Sequence, residues 1–153
     1  MKRSASEKRL LLAENEMNQM SASLYDRIGG REGIATLLRH FYADVRQQAL
    51  IGPIFNQRIR DWPAHLAKIA EFWARITGGP SVYSGKMPAK HLGLGLDANH
   101  FSAWLQLWEC NCRCYLKPQE AQEMSDLALE IGRRLKSTLS RHAALAIHAI
   151  VNT

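Results

Sequence analysis

The side chains best suited to metal chemistry in this sequence are two histidines, His65 and His91. His91 lies in the segment 77–97, whose glycines and prolines predict a long irregular connection, and such connections usually serve a function. His65 lies on a predicted helix whose inner face is otherwise apolar and aromatic. A partly buried histidine is more often a structural residue than a ligand, so neither one indicates a site by itself.

Aromatic residues on the predicted helix faces favour a flat apolar cofactor over a bare metal ion. One face carries Phe72 and Trp73, and another carries Phe101, Trp104 and Trp108. A bare zinc site needs a third or fourth ligand, and no cysteine, histidine or carboxylate is spaced to supply it. A haem needs one axial histidine and wide apolar walls. These residues therefore fit a haem better than a bare metal ion.

The cysteines are confined to one place, Cys110, Cys112 and Cys114. An odd number at this spacing predicts neither a disulfide framework nor a metal site, because no second cluster could complete one. On a helix, Cys110 and Cys114 share a face and Cys112 points away from it. We interpret them as reduced, partly buried thiols, and a redox-sensing role stays open.

Four segments repeat apolar residues at helical spacing, and none alternates with the period of two that is typical of a strand. Residues that start or stop helices flank these segments. They are Gly29-Gly30 and Gly52-Pro53 around the first, Asp61 and Gly78-Gly79-Pro80 around the second, Asp97 before the third and Pro118 before the fourth. The sequence predicts an all-α fold with irregular segments at 46–61 and 77–97.

The length of 153 residues predicts a single domain, with a flexible polar tail over 1–22 and the folded domain over 23–153. Met17 or Met20 is the alternative translation start that this division implies. The net charge of +6 is scattered, which argues against nucleic-acid binding. No apolar run approaches the ~18 residues of a membrane span, and residues 1–20 do not fit a secretory signal. We expect a cytoplasmic protein.

A series of short motifs, in fixed order from about Leu24 to Trp108, resembles the truncated haemoglobins. The motifs are Phe41-Tyr42, Gly52-Pro-Ile-Phe-Asn56, Trp62-Pro-Ala-His65, Phe72-Trp73-Ala74, Tyr83-Ser-Gly85, Lys90-His91-Leu92 and His100-Phe-Ser-Ala-Trp-Leu105. Phe-Trp after the distal histidine and Trp-Leu in the later helix are similar to group III. The glycine pairs at 29–30 and 78–79 are more similar to groups I and II. The resemblance implies a short globin-like, 2-on-2 helical fold around one haem b.

The resemblance also implies a role for each matching residue. His91 matches the proximal iron ligand, and His65 matches the distal gate, where it is an open question whether it also ligates the unliganded iron. Tyr42 and Trp104 match the side chains that donate hydrogen bonds to the iron ligand. The haem contacts would come from Phe55, Ile69, Phe72, Trp73 and Phe101 as apolar walls, and from Lys68 and Tyr83 near the propionates.

The function that the resemblance implies is binding of O₂, NO and CO at a five-coordinate iron. Two hydrogen-bond donors would slow O₂ release, which favours redox chemistry on O₂, NO or peroxide over bulk transport. Nitric oxide dioxygenase or peroxidase-like activity would need an external reductase, because the sequence has no flavin or nicotinamide motif. A haem-based sensor, an electron-transfer protein and a cofactor-free helical interaction module remain alternatives.

Overall fold

The computed structural model describes residues 3–83 and 96–151, without the side chains of 19–21 and 139–151. Helices account for most of this part of the chain, and it contains no strand. In chain order the helices are α1 (Ala5–Ser21), α2 (Leu24–Arg27), α3 (Gly30–Gln47), α4 (Gly52–Arg58), α5 (Trp62–Thr77), α6 (Ala98–Tyr115) and α7 (Pro118–Val151). The all-α prediction is confirmed.

Most of the predicted helix boundaries are confirmed, each through a local hydrogen bond or backbone angle. The Asp61 carboxylate accepts from the Ala64 amide at 3.0 Å and caps α5. Gly78 ends α5 with φ of 95°, a left-handed conformation that favours glycine. Asp97 caps α6 through the amides of the first turn, and Pro118 begins α7.

The prediction that 46–61 is irregular is wrong in its centre, where α4 lies. The Gly52-Pro53 pair starts this helix, whereas α3 has already ended at Gln47. Proline is tolerated in a first helical turn because its missing N–H would have no partner there. Gly52 is required for a different reason, since a Cβ would come within 2.7 Å of the Arg46 carbonyl oxygen.

Helix α3 lies at the centre of the fold and contacts α4, α5 and α6, while α6 also packs along α7. Two helix pairs, α3 with α5 and α6 with α7, therefore face each other across the core. The largest fully buried side chains come from both pairs and include Phe41, Trp73, Trp108 and Met124. This core holds α3, α5 and α6, three of the helices that carry the candidate site, in fixed positions relative to one another.

Helix α1 covers most of the segment predicted as a polar tail. Its capping box joins Ser4 and Glu7, and its described side chains are exposed throughout. Leu10, Leu12 and Met17 are among these exposed residues. The flexibility of residues 1–22 stays a prediction.

The cysteine prediction agrees with the described side chains. Cys112 is buried, whereas Cys110 and Cys114 are exposed, and all three are free thiols. Burial, reinforced by the nearby Glu109 carboxylate, raises the pKa of the Cys112 thiol to about 12. Cys112 therefore stays protonated at neutral pH.

Among the described residues, no helix is long and apolar enough to cross a membrane.

Candidate functional site

The Tyr42 side chain lies where four helices meet, α3, α4, α5 and α6. Its ring centroid is 5.9 Å from that of Phe55 on α4 and 5.6 Å from that of His65 on α5. The hydroxyl interacts with the indole of Trp104 on α6. Only 5% of Tyr42 is exposed. The structure thus brings together Tyr42, His65 and Trp104, to which the family resemblance assigns the ligand contacts and the distal gate.

The electrostatics of Tyr42 follow from this burial. Burial raises the pKa of the Tyr42 hydroxyl well above its usual range, because the phenolate would be poorly solvated. The indole N–H of Trp104 donates to the hydroxyl oxygen and offsets part of this rise. Tyr42 is therefore a neutral hydrogen-bond donor at neutral pH.

Trp104 is oriented by a stack of indoles that belongs to the core. Its ring is parallel to that of Trp108 at 5.8 Å, and Trp108 stacks on Trp73 at 4.3 Å. The indole N–H of Trp108 donates to the Met124 carbonyl at 3.1 Å, which fixes the middle ring. The Trp104 indole is consequently placed by packing as well as by its contact with Tyr42.

His65 lies half-buried on the first turns of α5, against aromatic rings. Its ring makes edge-on contacts with Tyr42 at 5.6 Å and with Trp62 at 5.6 Å. Its Nε2 atom is fully buried. The imidazole therefore packs against the Tyr42 ring, and the distal role that the resemblance implies for His65 stays a prediction.

Trp62 is the site residue that the sequence analysis missed. Its ring lies 5.8 Å from Tyr42, and the Arg46 guanidinium covers it at 4.6 Å from the ring centroid. Trp62 thus closes the site on the side of α3 and α4. The signal was present in the sequence, since Trp62 precedes His65 by three residues and shares its helix face.

The residues predicted as haem contacts fall into three groups. The half-buried side chains are Phe55, Ile69 and Phe72, which pack against the core, and Tyr83, whose ring is 5.1 Å from that of Phe72. Fully or nearly buried side chains are Trp73, within the core, and Phe101, which lies beneath the Lys136 ammonium. Lys68 is exposed on α5.

The predicted iron ligand, His91, lies outside the described residues, as does the rest of 84–95. The donor set on the described side consists of a hydroxyl, an indole N–H and an imidazole in an aromatic enclosure. Residues 3–83 and 96–151 contain no group of three or more histidine, cysteine or carboxylate side chains that could hold a bare metal ion. The half-buried apolar faces of α4 and α5 suit a flat cofactor, so the residues present fit a haem.

Comparison with known proteins shows the family of this chain. The family model of the bacterial-like globins matches residues 23–139. The group 3 truncated hemoglobin ctb of Campylobacter jejuni is 40% identical over 84 residues, which cover 52% of this chain and 66% of that protein. A group 1 truncated hemoglobin, GlbN of Mycolicibacterium paratuberculosis, is 34% identical over 85 residues, which cover 52% of this chain and 58% of that protein. The chain thus spans less than two thirds of the length of these two relatives.

Solved structures show the same architecture. The crystal structure of the group III truncated hemoglobin from Campylobacter jejuni superposes with a TM-score of 0.68 at 33% identity, over 72% of this chain and 91% of that one. A group II truncated hemoglobin from Bacillus anthracis superposes with a TM-score of 0.67 at 21% identity, over 74% and 90% of the two chains, and shows the fold alone. The described helices are thus those of a 2-on-2 globin. This chain belongs to the bacterial-like globin family, as a truncated haemoglobin most similar to group III, and that family implies a haem cofactor and a gaseous ligand.

Proposed function

We propose that the chain holds one haem b, with His91 as the proximal iron ligand, and binds O₂, NO and CO at a five-coordinate iron. The observation that carries the proposal is the enclosure of Tyr42, His65 and Trp104 by aromatic rings. Such a dry enclosure with hydrogen-bond donors suits a small ligand with partial negative charge. The bound haem would supply an iron with one coordination position open to a diatomic gas.

The protein side chains would divide the work of holding this cofactor. Phe55, Ile69, Phe72 and Phe101 would provide apolar contact. Tyr83 and Lys68 would lie near the propionates, where the exposed position of Lys68 suits a contact at the protein surface. Trp73 would support the site from the core, since its ring stacks on Trp108.

Tyr42 would act on the ligand through a hydrogen bond, and Trp104 would act through the Tyr42 hydroxyl to which it donates. The Tyr42 oxygen accepts from Trp104, which leaves its own hydrogen available for another acceptor. A bound O₂ would carry partial negative charge on its outer atom and offer that acceptor, whereas a bound CO would carry little charge there. Hydrogen bonds to charged groups contribute about 1.5–3 kcal/mol, and exclusion of water keeps them strong.

Slow release of O₂ would favour chemistry on the ligand over bulk transport. Oxidation of NO to nitrate and reduction of peroxide are the two reactions that a site of this kind supports. Each needs electrons from outside, so we include a separate reductase in the proposal and place the protein in the cytoplasm with it. The proposal includes no binding of this chain to nucleic acid or to a membrane.

The test is an absorption spectrum of purified protein reconstituted with haem, followed by the same measurement on His91→Gly. The wild-type protein should retain a Soret band through a desalting column, and His91→Gly should lose most of it. Added imidazole should partly restore the band, because it replaces the missing side chain. The exposed His40 provides a matched control, and His40→Ala should retain haem as the wild type does. Full haem retention by His91→Gly without imidazole would show that another residue ligates the iron.

A further inference from the structure

The residues that follow the end of α5, 79–83, form no helix, yet each is bonded to the rest of the fold. Two backbone carbonyls of the segment accept from arginines, that of Pro80 from Arg31 and that of Tyr83 from Arg75, both at 2.9 Å. Two groups of the segment donate to Glu71: the Ser81 hydroxyl to its carbonyl at 2.6 Å and the Val82 amide to its carboxylate at 2.8 Å. The Gly79 amide donates to the Ala74 carbonyl at 2.8 Å. This segment is therefore fixed to α3 and α5, immediately before the residues that lead to His91.

Among the residues that bond to 79–83, Glu71 makes the most hydrogen bonds, since it accepts from both Ser81 and Val82. Its Oε1 accepts from the Arg31 guanidinium at 2.6 Å, and its Oε2 accepts from the Val82 amide. The Arg31 guanidinium in turn reaches the Pro80 carbonyl. One carboxylate on α5 thus joins α3 to the start of the connection.

The charge of Glu71 is stable under ordinary conditions. The Arg31 guanidinium and the Val82 amide hold the pKa of the Glu71 carboxyl at about 2, far below its usual range. Both oxygens consequently act as acceptors at any pH near neutrality. An amide at this position could satisfy only one donor, because its NH₂ group would face either Arg31 or Val82.

We propose that Glu71 is a positioning residue of the haem site, which holds residues 79–83 and thereby orients Tyr83. This inference rests on the proposed function. Tyr83 is oriented against Phe72 within the fixed segment, and the chain reaches His91 eight residues later. Loss of the carboxylate would therefore loosen Tyr83 and the haem contact expected of it, whereas the Tyr42 side of the site would keep its structure.

The experiment compares Glu71→Gln with the wild type by two measurements, the rate of haem transfer to an excess of apomyoglobin and the hydrogen exchange of the Val82 and Tyr83 amides in haem-free protein. We expect haem loss to become about 3- to 10-fold faster, which corresponds to part of one charged hydrogen bond at a partly exposed position. The Val82 amide should also exchange faster. Glu32→Gln, which makes the same charge change at an exposed position on α3, should alter neither rate.

A purely structural role of Glu71 predicts a different result. Arg27→Gln removes an ion pair between α2 and α7, far along the chain from 79–83, and lowers stability without touching this segment. If Glu71→Gln loses haem no faster than Arg27→Gln at an equal loss of melting temperature, the positioning role is wrong. Arg31→Gln provides a second variant, and it should show the same faster exchange at Val82 if Glu71→Gln folds poorly.

The two proposals fail in distinguishable ways. A wild-type protein that binds no haem contradicts the proposed function, and Glu71 then has no haem site to position. A wild-type protein that binds haem through His91, together with unchanged haem loss in Glu71→Gln, contradicts only the role of Glu71. Unchanged exchange of the Val82 amide in Glu71→Gln would likewise overturn it, because the carboxylate would then not hold the segment.

Discussion

The Tyr42 hydroxyl is the group on which the proposed chemistry depends most. It is neutral and buried, and its oxygen accepts from Trp104, which leaves its hydrogen available for another acceptor. The rings of His65 and Trp62 pack around the Tyr42 ring. In such buried surroundings a hydrogen bond to a polar ligand is strong, which makes its loss measurable.

Tyr42→Phe removes that hydroxyl and keeps the ring that packs against Phe55 and His65. We expect O₂ to leave the ferrous protein about 10- to 150-fold faster, as the loss of one hydrogen bond to a charged acceptor predicts. Release of CO should change much less. Stopped-flow dissociation of both gases measures the two effects on the same preparation.

Two further variants sharpen this comparison. Trp104→Phe should act in the same direction, and the double substitution should fall short of the product of the single effects, because the Trp104 indole donates to the Tyr42 hydroxyl and would act on the ligand through it. Tyr115→Phe is the matched control, since Tyr115 is 48% exposed and stacks on His40 away from the site. Equal effects of Tyr42→Phe on O₂ and CO would mean that Tyr42 acts through the shape of the pocket.

At the scale of elements, helix α5 matters most, because it carries His65, Ile69 and Phe72 on one face. Its limits were predictable, since Asp61, Pro63 and Gly78 are local signals that act within one turn. Helix α4 was not predicted, because a Gly-Pro pair such as Gly52-Pro53 is typical both of the end of one helix and of the start of another. What decides between them is the close approach of Gly52 to the Arg46 carbonyl, a contact that only the folded chain displays.

Asp61→Ala should destabilise the protein through the start of α5. The substitution leaves the Ala64 amide without its side-chain acceptor, at a cost of about 0.5–2 kcal/mol in the free energy of unfolding. Asp61→Asn retains a capping oxygen and should cost much less. Urea unfolding followed by circular dichroism gives both values, and an equal loss in the two variants would show that the charge of Asp61 matters more than its cap.

At the scale of the whole molecule, the arrangement of two helix pairs followed from the family resemblance, not from periodicity. The periodic segments predicted which faces are buried, and Ile34, Leu37 and Phe41 are indeed core residues. They carry no information on which helix packs against which. Contacts between distant residues were equally hidden, among them the pairing of Arg27 with Glu120 and Glu123. Such partners are joined by folding over more than ninety intervening residues.

The N-terminal segment offers a test of how far the folded domain extends. The described side chains of α1 are exposed, and the globin family match begins at residue 23. Deletion of residues 1–19 should therefore leave the melting temperature within about 2 °C of the full chain, less than the loss of 1 kcal/mol would cause in a protein of this size. Differential scanning calorimetry measures it, and a drop of many degrees would show that α1 packs on the domain in solution.

The ion pair of Arg27 links the first and last parts of the globin domain. The Arg27 guanidinium binds Glu123 at 2.6 and 2.9 Å and Glu120 at 3.1 Å, and 16% of its side chain is exposed. Arg27 lowers the pKa of the Glu123 carboxyl from its ordinary value of about 4.5. We expect Arg27→Gln to cost about 1 kcal/mol at pH 7, a drop of about 2–4 °C in melting temperature.

The pH dependence of that difference follows from the sign of the Glu123 shift. A carboxyl whose pKa is lower in the folded protein binds more protons when unfolded, so its contribution to stability is fully present above the unfolded pKa. The contribution is lost as the pH falls through the folded pKa. The gap in melting temperature between wild type and Arg27→Gln should therefore be constant from pH 7 to about 5.5 and shrink below pH 4.5. Arg134→Gln, which removes the pair with Glu130 on the exposed surface of α7, should show only a small gap throughout. A gap for Arg27→Gln that stays constant down to pH 3 would mean that the guanidinium stabilises the fold by packing and not by its charge.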